Sequence, residues 1–129
     1  MDPSAEIRAA DAPAPKGAYS HAIRAGDLVF VSGQGPIDPE TGEVREGSIE
    51  QQTELTLRNV EAIARAAGGS LADVVKVSAY LASLDEFAGY NAAYERMFAA
   101  TPRPARTTVG AALIGIRVEI DAVLYLPAS

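Results

Sequence analysis

The spacing of Ser48 and Gln51 is the feature that most restricts what this chain can fold into. Two such side chains three residues apart form a capping box, which satisfies backbone N–H groups that the first turn of a helix leaves unpaired. We therefore expect a helix that begins at Ile49 and ends at Gly68, where glycine suits a left-handed cap. Residues at three- and four-residue steps give this helix one stripe for a core: Thr53, Leu57, Val60, Ala64 and Ala67. A helix with one such stripe needs a second layer to cover it.

Short strands and a second helix are available to form the rest of the fold. The second helix is predicted where Ser83 and Glu86 repeat the capping-box spacing, and it ends before Pro102. Its stripe is Phe87, Tyr90, Asn91, Tyr94, Met97 and Phe98. Strands are predicted as two short segments within residues 19–32, a central strand at Val74–Leu81, a strand from Ala105 or Arg106 toward Gly110, and a last strand at about residues 117–126. Because strand, helix and strand follow each other twice, we predict an α+β two-layer sandwich, with a mixed sheet and two long helices on one face.

The predicted strands carry apolar residues on both of their faces. In the last strand, the face that runs from Val118 to Leu126 is wholly apolar and must meet the helices, and the opposite face is half apolar. One face of the central strand is predicted to carry Val75, Val77, Ala79 and Leu81. One layer of helices covers only one sheet face, and a soluble monomer rarely exposes a contiguous apolar patch on the other. We therefore predict a homo-oligomer that forms through the sheet.

The composition restricts the class of function. The chain has 129 residues, 48% hydrophobic, with a net charge of -6, as expected of one domain that spans residues 1–129. A sequence without Cys excludes a thiolate nucleophile and Cys-ligated metal, and its single His leaves little for a zinc site. Because the sequence has no Lys/Arg cluster, nucleic acid is not expected as the main partner. No apolar run is long enough for a membrane span, so we expect no membrane partner and a cytoplasmic protein.

Two short motifs could carry chemistry, and both have a plain structural alternative. Ser20 and His21 are neighbours, but adjacent residues of a strand point to opposite faces, so a nucleophile–base pair is not expected. His21 is instead expected to be partly exposed or to lie at an interface. Gly33 and Gly35 would let the backbone approach a ligand closely, or they mark a kinked strand end.

Arg106 and Glu119 form a stronger candidate site. An Arg guanidinium is a planar fork that matches a carboxylate, and a strand holds it more rigidly than a loop does. Arg106 is therefore the candidate for binding an anion, with an exposed charge at a strand end as the alternative. Glu119 lies among apolar residues, where it could take part in chemistry or only discourage pairing between sheet edges.

Ordered motifs along nearly the whole chain point to a known family. They are Gly17-Ala18-Tyr19-Ser20-His21-Ala22, Val31-Ser32-Gly33-Gln34, Asp38-Pro39 with Gly42, Gln52 with Asn59, Asp73-Val74-Val75-Lys76-Val77, Asn91 with Tyr94, Pro104-Ala105-Arg106 and Val118-Glu119-Ile120. In type and spacing they resemble the Rid (YjgF-type) family of reactive-intermediate deaminases. The resemblance implies a chorismate-mutase-like α+β fold and a homotrimer with a site at each subunit interface. It also implies hydrolysis of 2-aminoacrylate-type enamines and their 2-imino acid tautomers to 2-keto acids and ammonia.

The resemblance also implies roles for individual residues. Arg106 would hold the substrate carboxylate, and Glu119 would orient or deprotonate the attacking water. The positions implied to line the substrate pocket are Tyr19, Ser32, Gly33, Asn91 and Thr108. Thr108 stands where many deaminases of the family have Cys. The substrate would be an imino acid of the 2-iminobutanoate or 2-iminopropanoate type, and its carbon is electrophilic enough for hydrolysis without a metal or other cofactor.

Three departures from the family pattern and three rival functions remain open at this point. Ala18, His21 and Ile114 replace residues that are usual in the family, and they affect the expected substrate preference more than the fold. The first rival is a module that binds a small carboxylate without chemistry. The second is a ribonuclease, against which the net charge of -6 weighs. The third is a specialised deaminase of a larger enamine.

Overall fold

The structure is a computed structural model that describes residues 5–127 of the chain. These residues contain six strands and two α-helices. The strands are β1 (Glu6–Ile7), β2 (Ala22–Ala25), β3 (Leu28–Gln34), β4 (Val74–Leu81), β5 (Ala105–Gly110) and β6 (Val118–Tyr125), and the helices are α1 (Ile49–Ala66) and α2 (Phe87–Met97). Single 3₁₀ turns at Leu71–Asp73 and Leu84–Glu86 precede β4 and α2. The sequence patterns missed β1, because two residues are too few to show a periodicity. Neither helix of these residues is long and apolar enough to cross a membrane.

The strands form one mixed sheet in the order β1-β2-β3-β6-β4-β5. The β4–β5 pair is parallel and the other neighbouring pairs are antiparallel. Helix α1 packs on β3 and β6, and α2 lies beside α1. The two helices therefore cover one face of the sheet, which confirms the predicted α+β two-layer sandwich.

The capping box of α1 is present as predicted. The Gln51 N–H donates to Ser48 Oγ at 3.1 Å, and the Ser48 N–H donates to Gln51 Oε1 at 3.0 Å. Gly68 follows the helix with a φ of +94°, the left-handed conformation that glycine adopts without strain. The stripe faces the core, where Thr53, Leu57, Val60 and Ala64 are fully buried. Local sequence chemistry thus determined both ends of this helix.

The second predicted capping box, at Ser83 and Glu86, is wrong. Ser83 Oγ accepts from the Asp85 N–H at 3.2 Å, but the Glu86 side chain does not return to Ser83. It forms an ion pair with Arg117, whose Nε donates to Glu86 Oε1 at 2.9 Å. The hydrogen bonds from the Arg117 guanidinium hold the pKa of Glu86 below its usual value. The Glu86 carboxylate therefore binds a charged side chain from a distant segment instead of the nearby backbone N–H of Ser83.

The prediction that Val75 shares the buried face of β4 is also wrong. The pairing of β4 with β6 shifts register between Val74 and Lys76. Val74 is buried and Val75 is 45% exposed, whereas Val77 and the later alternate residues face the core as predicted. An extra residue at a β-bulge moves the alternation of faces by one position, which a strict period of two cannot anticipate.

His21 is buried rather than partly exposed, with only 6% of its surface accessible. Its Nδ1 accepts from the Ala9 N–H at 3.0 Å, so Nε2 carries the ring proton and donates to the Pro13 carbonyl at 2.7 Å. Ser20 points away and donates to Glu6 at 3.1 Å. His21 therefore has a structural role: it ties the segment before β2 to the sheet.

Candidate functional site

Arg106 projects from β5 toward the helices. In the parallel β4–β5 pair it is in register with Val77, which is fully buried beneath the helical layer. Residues in register share a face of the sheet, so the Arg106 side chain also lies on the helix side. Its Nη1 donates to Asn91 Oδ1 at 2.8 Å, and the Asn91 Nδ2 donates to Glu95 Oε1 at 3.2 Å. Helix α2 thus holds one edge of the guanidinium.

Aromatic rings of α2 surround the same guanidinium. Its central carbon is 4.5 Å from the ring centroid of Tyr94, 5.5 Å from that of Tyr90 and 5.8 Å from that of Phe87. These distances are within the range of cation–π attraction. Burial raises the pKa of Tyr94 to about 12, so this ring stays neutral beside the cation.

Thr108 lies two residues along β5 on the same face as Arg106. It is in register with the buried Ala79, and its Oγ1 is 2.8 Å from the hydroxyl of Tyr90. We call Arg106, Asn91, Thr108 and Tyr94 the arginine cluster. An open cleft of about 370 Å³ adjoins it, lined by Asn91, Tyr94, Glu95, Arg103, Pro104 and Arg106. The cleft gives a small anion access to the guanidinium.

Glu119 lies on the other face of the sheet. Its neighbours in β6, Val118 and Ile120, are fully buried under the helices, so alternation points Glu119 away from them. It is in register with Tyr80 of β4, whose hydroxyl donates to Asp121 at 3.2 Å. Burial raises the pKa of Glu119, and the nearby charge of Asp121 raises it further. A carboxylate whose pKa is raised is a stronger proton acceptor than a free one, which suits it to act as a general base.

Gly33 packs directly against the Glu119 side chain. A Cβ atom at Gly33 would be only 2.9 Å from Glu119 Oε2 and 3.0 Å from its Cδ. Gly33 belongs to a bulge of β3, where the register with β6 shifts between Val31 and Gln34. The glycine therefore makes room for the carboxylate. Both alternatives from the sequence apply to Gly33: it lies at an irregularity of the strand, and it allows a close approach, which is that of the Glu119 side chain.

Ser32 and Tyr19 form their hydrogen bonds with groups other than Glu119. Ser32 Oγ donates to the Ser20 carbonyl at 2.6 Å, so its hydroxyl proton is used within the sheet. Tyr19 lies in the loop before β2, is 48% exposed, and its hydroxyl accepts from the Lys16 N–H at 3.3 Å. We call Glu119 and Gly33 the glutamate cluster, because these two residues are in direct contact, whereas no hydrogen bond within residues 5–127 joins Ser32 or Tyr19 to Glu119.

The two clusters do not meet within one chain. Arg106 and Glu119 lie on opposite faces of the sheet, and β4 separates their strands. Arg106 is accordingly absent from the groups that shift the pKa of Glu119. The sequence patterns place Tyr94 and Tyr90 in a helix stripe, and Tyr94 also in a motif with Asn91. Their spacing on α2 was the available signal, but it did not reveal that a cation lies over the rings.

Comparisons with known proteins give matches over nearly the whole chain. The family model described as Endoribonuclease L-PSP matches residues 9–126. The RutC family protein y4sK of Sinorhizobium fredii is 49% identical over 118 residues, which are 90% of this chain and 93% of that protein. The crystal structure of RidA from an Antarctic Psychrobacter has a TM-score of 0.88 at 43% identity and covers 93% of this chain and 98% of that one. The crystal structure of Escherichia coli TdcF with bound serine has a TM-score of 0.86 at 34% identity, with coverage of 93% and 97%.

Proposed function

The chain belongs to the Rid (YjgF/L-PSP) family, and on that premise we propose that it is a deaminase that hydrolyses 2-imino acids and their enamine tautomers to 2-keto acids and ammonia. The observation that carries this proposal is the Arg106 guanidinium, which Asn91 holds beside an open cleft. Such a fork suits the carboxylate that every substrate of this class carries. The relative TdcF was crystallised with serine, which also carries a carboxylate next to a carbon–nitrogen bond. Substrates of the 2-iminopropanoate and 2-iminobutanoate type fit this chemistry.

The reaction needs only positioning and proton transfer. With the carboxylate on Arg106, water adds to the imine carbon, and the electron pair of the C=N bond moves to nitrogen, which takes up a proton. Glu119 accepts the proton that the water loses. The resulting carbinolamine collapses when nitrogen takes a second proton and leaves as ammonia, while the hydroxyl proton is lost and the C=O bond forms. One water is consumed and one ammonia is released, and general acid–base catalysis of this kind contributes about 10²–10⁴-fold.

The two clusters can act on one substrate only if two copies of the chain share the site. We propose that the arginine cluster of one protomer faces the glutamate cluster of the next, in a homotrimer. Large apolar residues on the helix-free face of the sheet support a contact there: Leu28, Phe30 and Tyr125 are all exposed. A head-to-tail contact whose rotation closes forms a ring with one identical site at each interface.

A coupled assay tests the proposed reaction. An amino-acid oxidase generates the imino acid in solution, and semicarbazide traps whatever imine is not yet hydrolysed. The protein is expected to lower the amount of imine that semicarbazide traps and to raise the rate of ammonia release. Pyruvate binding without any acceleration would favour the binding module instead. Cleavage of RNA by the same preparation would favour the ribonuclease activity in the family's description, against which the net charge of -6 weighs.

Gly33→Ala is expected to lower kcat roughly tenfold, because the new methyl group would push the Glu119 carboxylate aside by a few tenths of an ångström. Gly33 does not have a positive φ, so the backbone itself accepts alanine. The atoms in the way belong to a side chain that can swing aside, so thermal unfolding should change little. Steady-state kinetics and the melting temperature check both parts.

Gly110→Ala is the matched control for this substitution. Gly110 is also a strand glycine, but a Cβ there would meet nothing closer than Leu84 Cγ at 3.4 Å. Its kinetics should match those of the wild type. Equal kcat values for Gly33→Ala and the wild type would contradict the role given to the Glu119 carboxylate.

A further inference from the structure

Tyr94 is buried beneath the Arg106 guanidinium without a hydrogen bond that would explain its position. It is 3% exposed, and within residues 5–127 its buried hydroxyl has no hydrogen-bond partner. Neighbouring rings fix it instead, since the centroid of Phe98 is 4.8 Å away and that of Tyr90 is 6.0 Å away. The ring of Tyr94 is therefore held in place by packing, and the central carbon of the Arg106 guanidinium is 4.5 Å from its centroid.

We propose that Tyr94 is a positioning residue for the reaction: its ring holds the Arg106 guanidinium in the one direction that receives the substrate carboxylate. This inference rests on the proposed role of Arg106 and adds a residue to it. Asn91 binds one edge of the guanidinium through a single hydrogen bond, which leaves rotation about that bond free. A second contact against the Tyr94 ring removes this freedom.

Arg106 needs such support because of where it lies. Strand β5 is at the edge of the sheet in this chain, and an Arg side chain loses considerable rotamer freedom when it is ordered. A cation that is ordered before the ligand arrives avoids that cost at the moment of binding. The ring is suited to this task because a neutral aromatic face attracts a cation, and the attraction strengthens when water is excluded.

Substitutions at Tyr94 separate the ring from the hydroxyl. Tyr94→Phe keeps the ring and is expected to keep the KM for 2-imino acids within about twofold of the wild type. Tyr94→Leu removes the ring and is expected to raise KM roughly five- to thirtyfold, which corresponds to about 1–2 kcal/mol. The kcat should change less than the KM, because Glu119 and the attacking water are untouched.

Leu57→Ala is the matched control for lost packing. Leu57 is fully buried on α1 and belongs neither to the rings around Arg106 nor to the rings that pack on Tyr94. It should lower the melting temperature at least as much as Tyr94→Leu and leave KM unchanged. If Tyr94→Leu does not fold, pentafluorophenylalanine in place of Tyr94 keeps the ring shape and reverses its quadrupole, and it should raise KM in the same way.

Nitrogen NMR of the Arg106 Nε–H group gives a readout that does not depend on activity. Its resonance should be shifted by ring currents in the wild type and in Tyr94→Phe, and the shift should become smaller in Tyr94→Leu, which removes the nearest of the three rings and keeps those of Tyr90 and Phe87. A protein without deaminase activity that still shows this pattern would refute the proposed function and leave the positioning of Arg106 supported. An unchanged resonance and KM in Tyr94→Leu, or an equal loss in Tyr94→Phe, would overturn the role of the ring.

Discussion

Arg106→Ala is expected to lose binding of 2-keto acids and to lower kcat/KM for 2-imino acids roughly 30- to 4,000-fold. This range corresponds to about 2–5 kcal/mol, the usual cost of removing one partner from a desolvated charge pair. Arg103 also lines the cleft, with its Nε donating to the Phe98 carbonyl, but Arg106 is the guanidinium that a side-chain hydrogen bond and three aromatic rings hold in place. The substrate carboxylate would therefore enter the cleft without its main partner.

The fold should survive this substitution. Arg106 is partly exposed and accounts for one hydrogen bond to Asn91, and the strand pairing of β5 uses backbone groups only. Isothermal titration with pyruvate and the oxidase-coupled assay measure the two expected losses, and circular dichroism with thermal unfolding checks the fold.

Arg106→Lys and Arg58→Ala make the test specific. Lysine keeps the charge but loses the fork and most of the contact with the rings, so its kcat/KM should lie between those of alanine and the wild type. Arg58 forms an exposed ion pair with Glu54 on α1, far from β5 in the sequence, and its removal should change nothing measurable. Turnover near the wild-type rate in Arg106→Ala would show that the carboxylate binds elsewhere.

Features of the fold that depend on local chemistry could be predicted from the sequence. The capping box at Ser48 and the glycine at position 68 act within a few residues, so the bounds of α1 followed from them. The exposure of Val75 and the partner of Glu86 could not be predicted, because both depend on β6 and the residue before it. Neither a β-bulge nor an ion pair with a distant arginine can be recognised from the local spacing of apolar and capping residues.

The candidate site shows the same division between local and distant information. Motifs identified Arg106 and Glu119 as chemically useful residues, but their faces depend on the order of the strands. The sequence places β6 directly after β5, whereas the sheet inserts β4 between them. The buried position of His21 likewise depends on a segment eight to twelve residues earlier, which binds both of its ring nitrogens. Such pairings depend on the tertiary structure and cannot be predicted from local patterns in one sequence.

Mixing two impaired variants is expected to restore roughly a quarter of the wild-type activity, because each site would draw its two key residues from neighbouring protomers. Arg106→Ala and Glu119→Gln should each retain only a small fraction of the wild-type activity alone. When the two are unfolded together in equal amounts and refolded, half of the protomers carry an intact Arg106 and the other half an intact Glu119. One site in about four then receives both intact residues, if assembly is random.

The geometry of the chain is the reason for this expectation. Arg106 reaches toward α2 on the helix side of the sheet, and Glu119 lies on the opposite side against Gly33. A substrate of a few atoms cannot touch both faces of one sheet. If a single protomer held the whole site, every site in the mixture would carry one defect, and no activity would return.

A double variant supplies the control for random assembly. Arg106→Ala combined with Glu119→Gln in one chain, mixed equally with the wild type, should leave about a quarter of the sites intact if they are shared and about half if they are not. Light scattering should give the mass of three chains for each mixture. Activity that stays at the level of the separate variants in the first mixture, or a protein that is monomeric at micromolar concentration, would rule out the shared site. Because Arg106 and Glu119 cannot meet in one chain, either result would also remove the two-residue mechanism and leave at most a carboxylate-binding surface around Arg106.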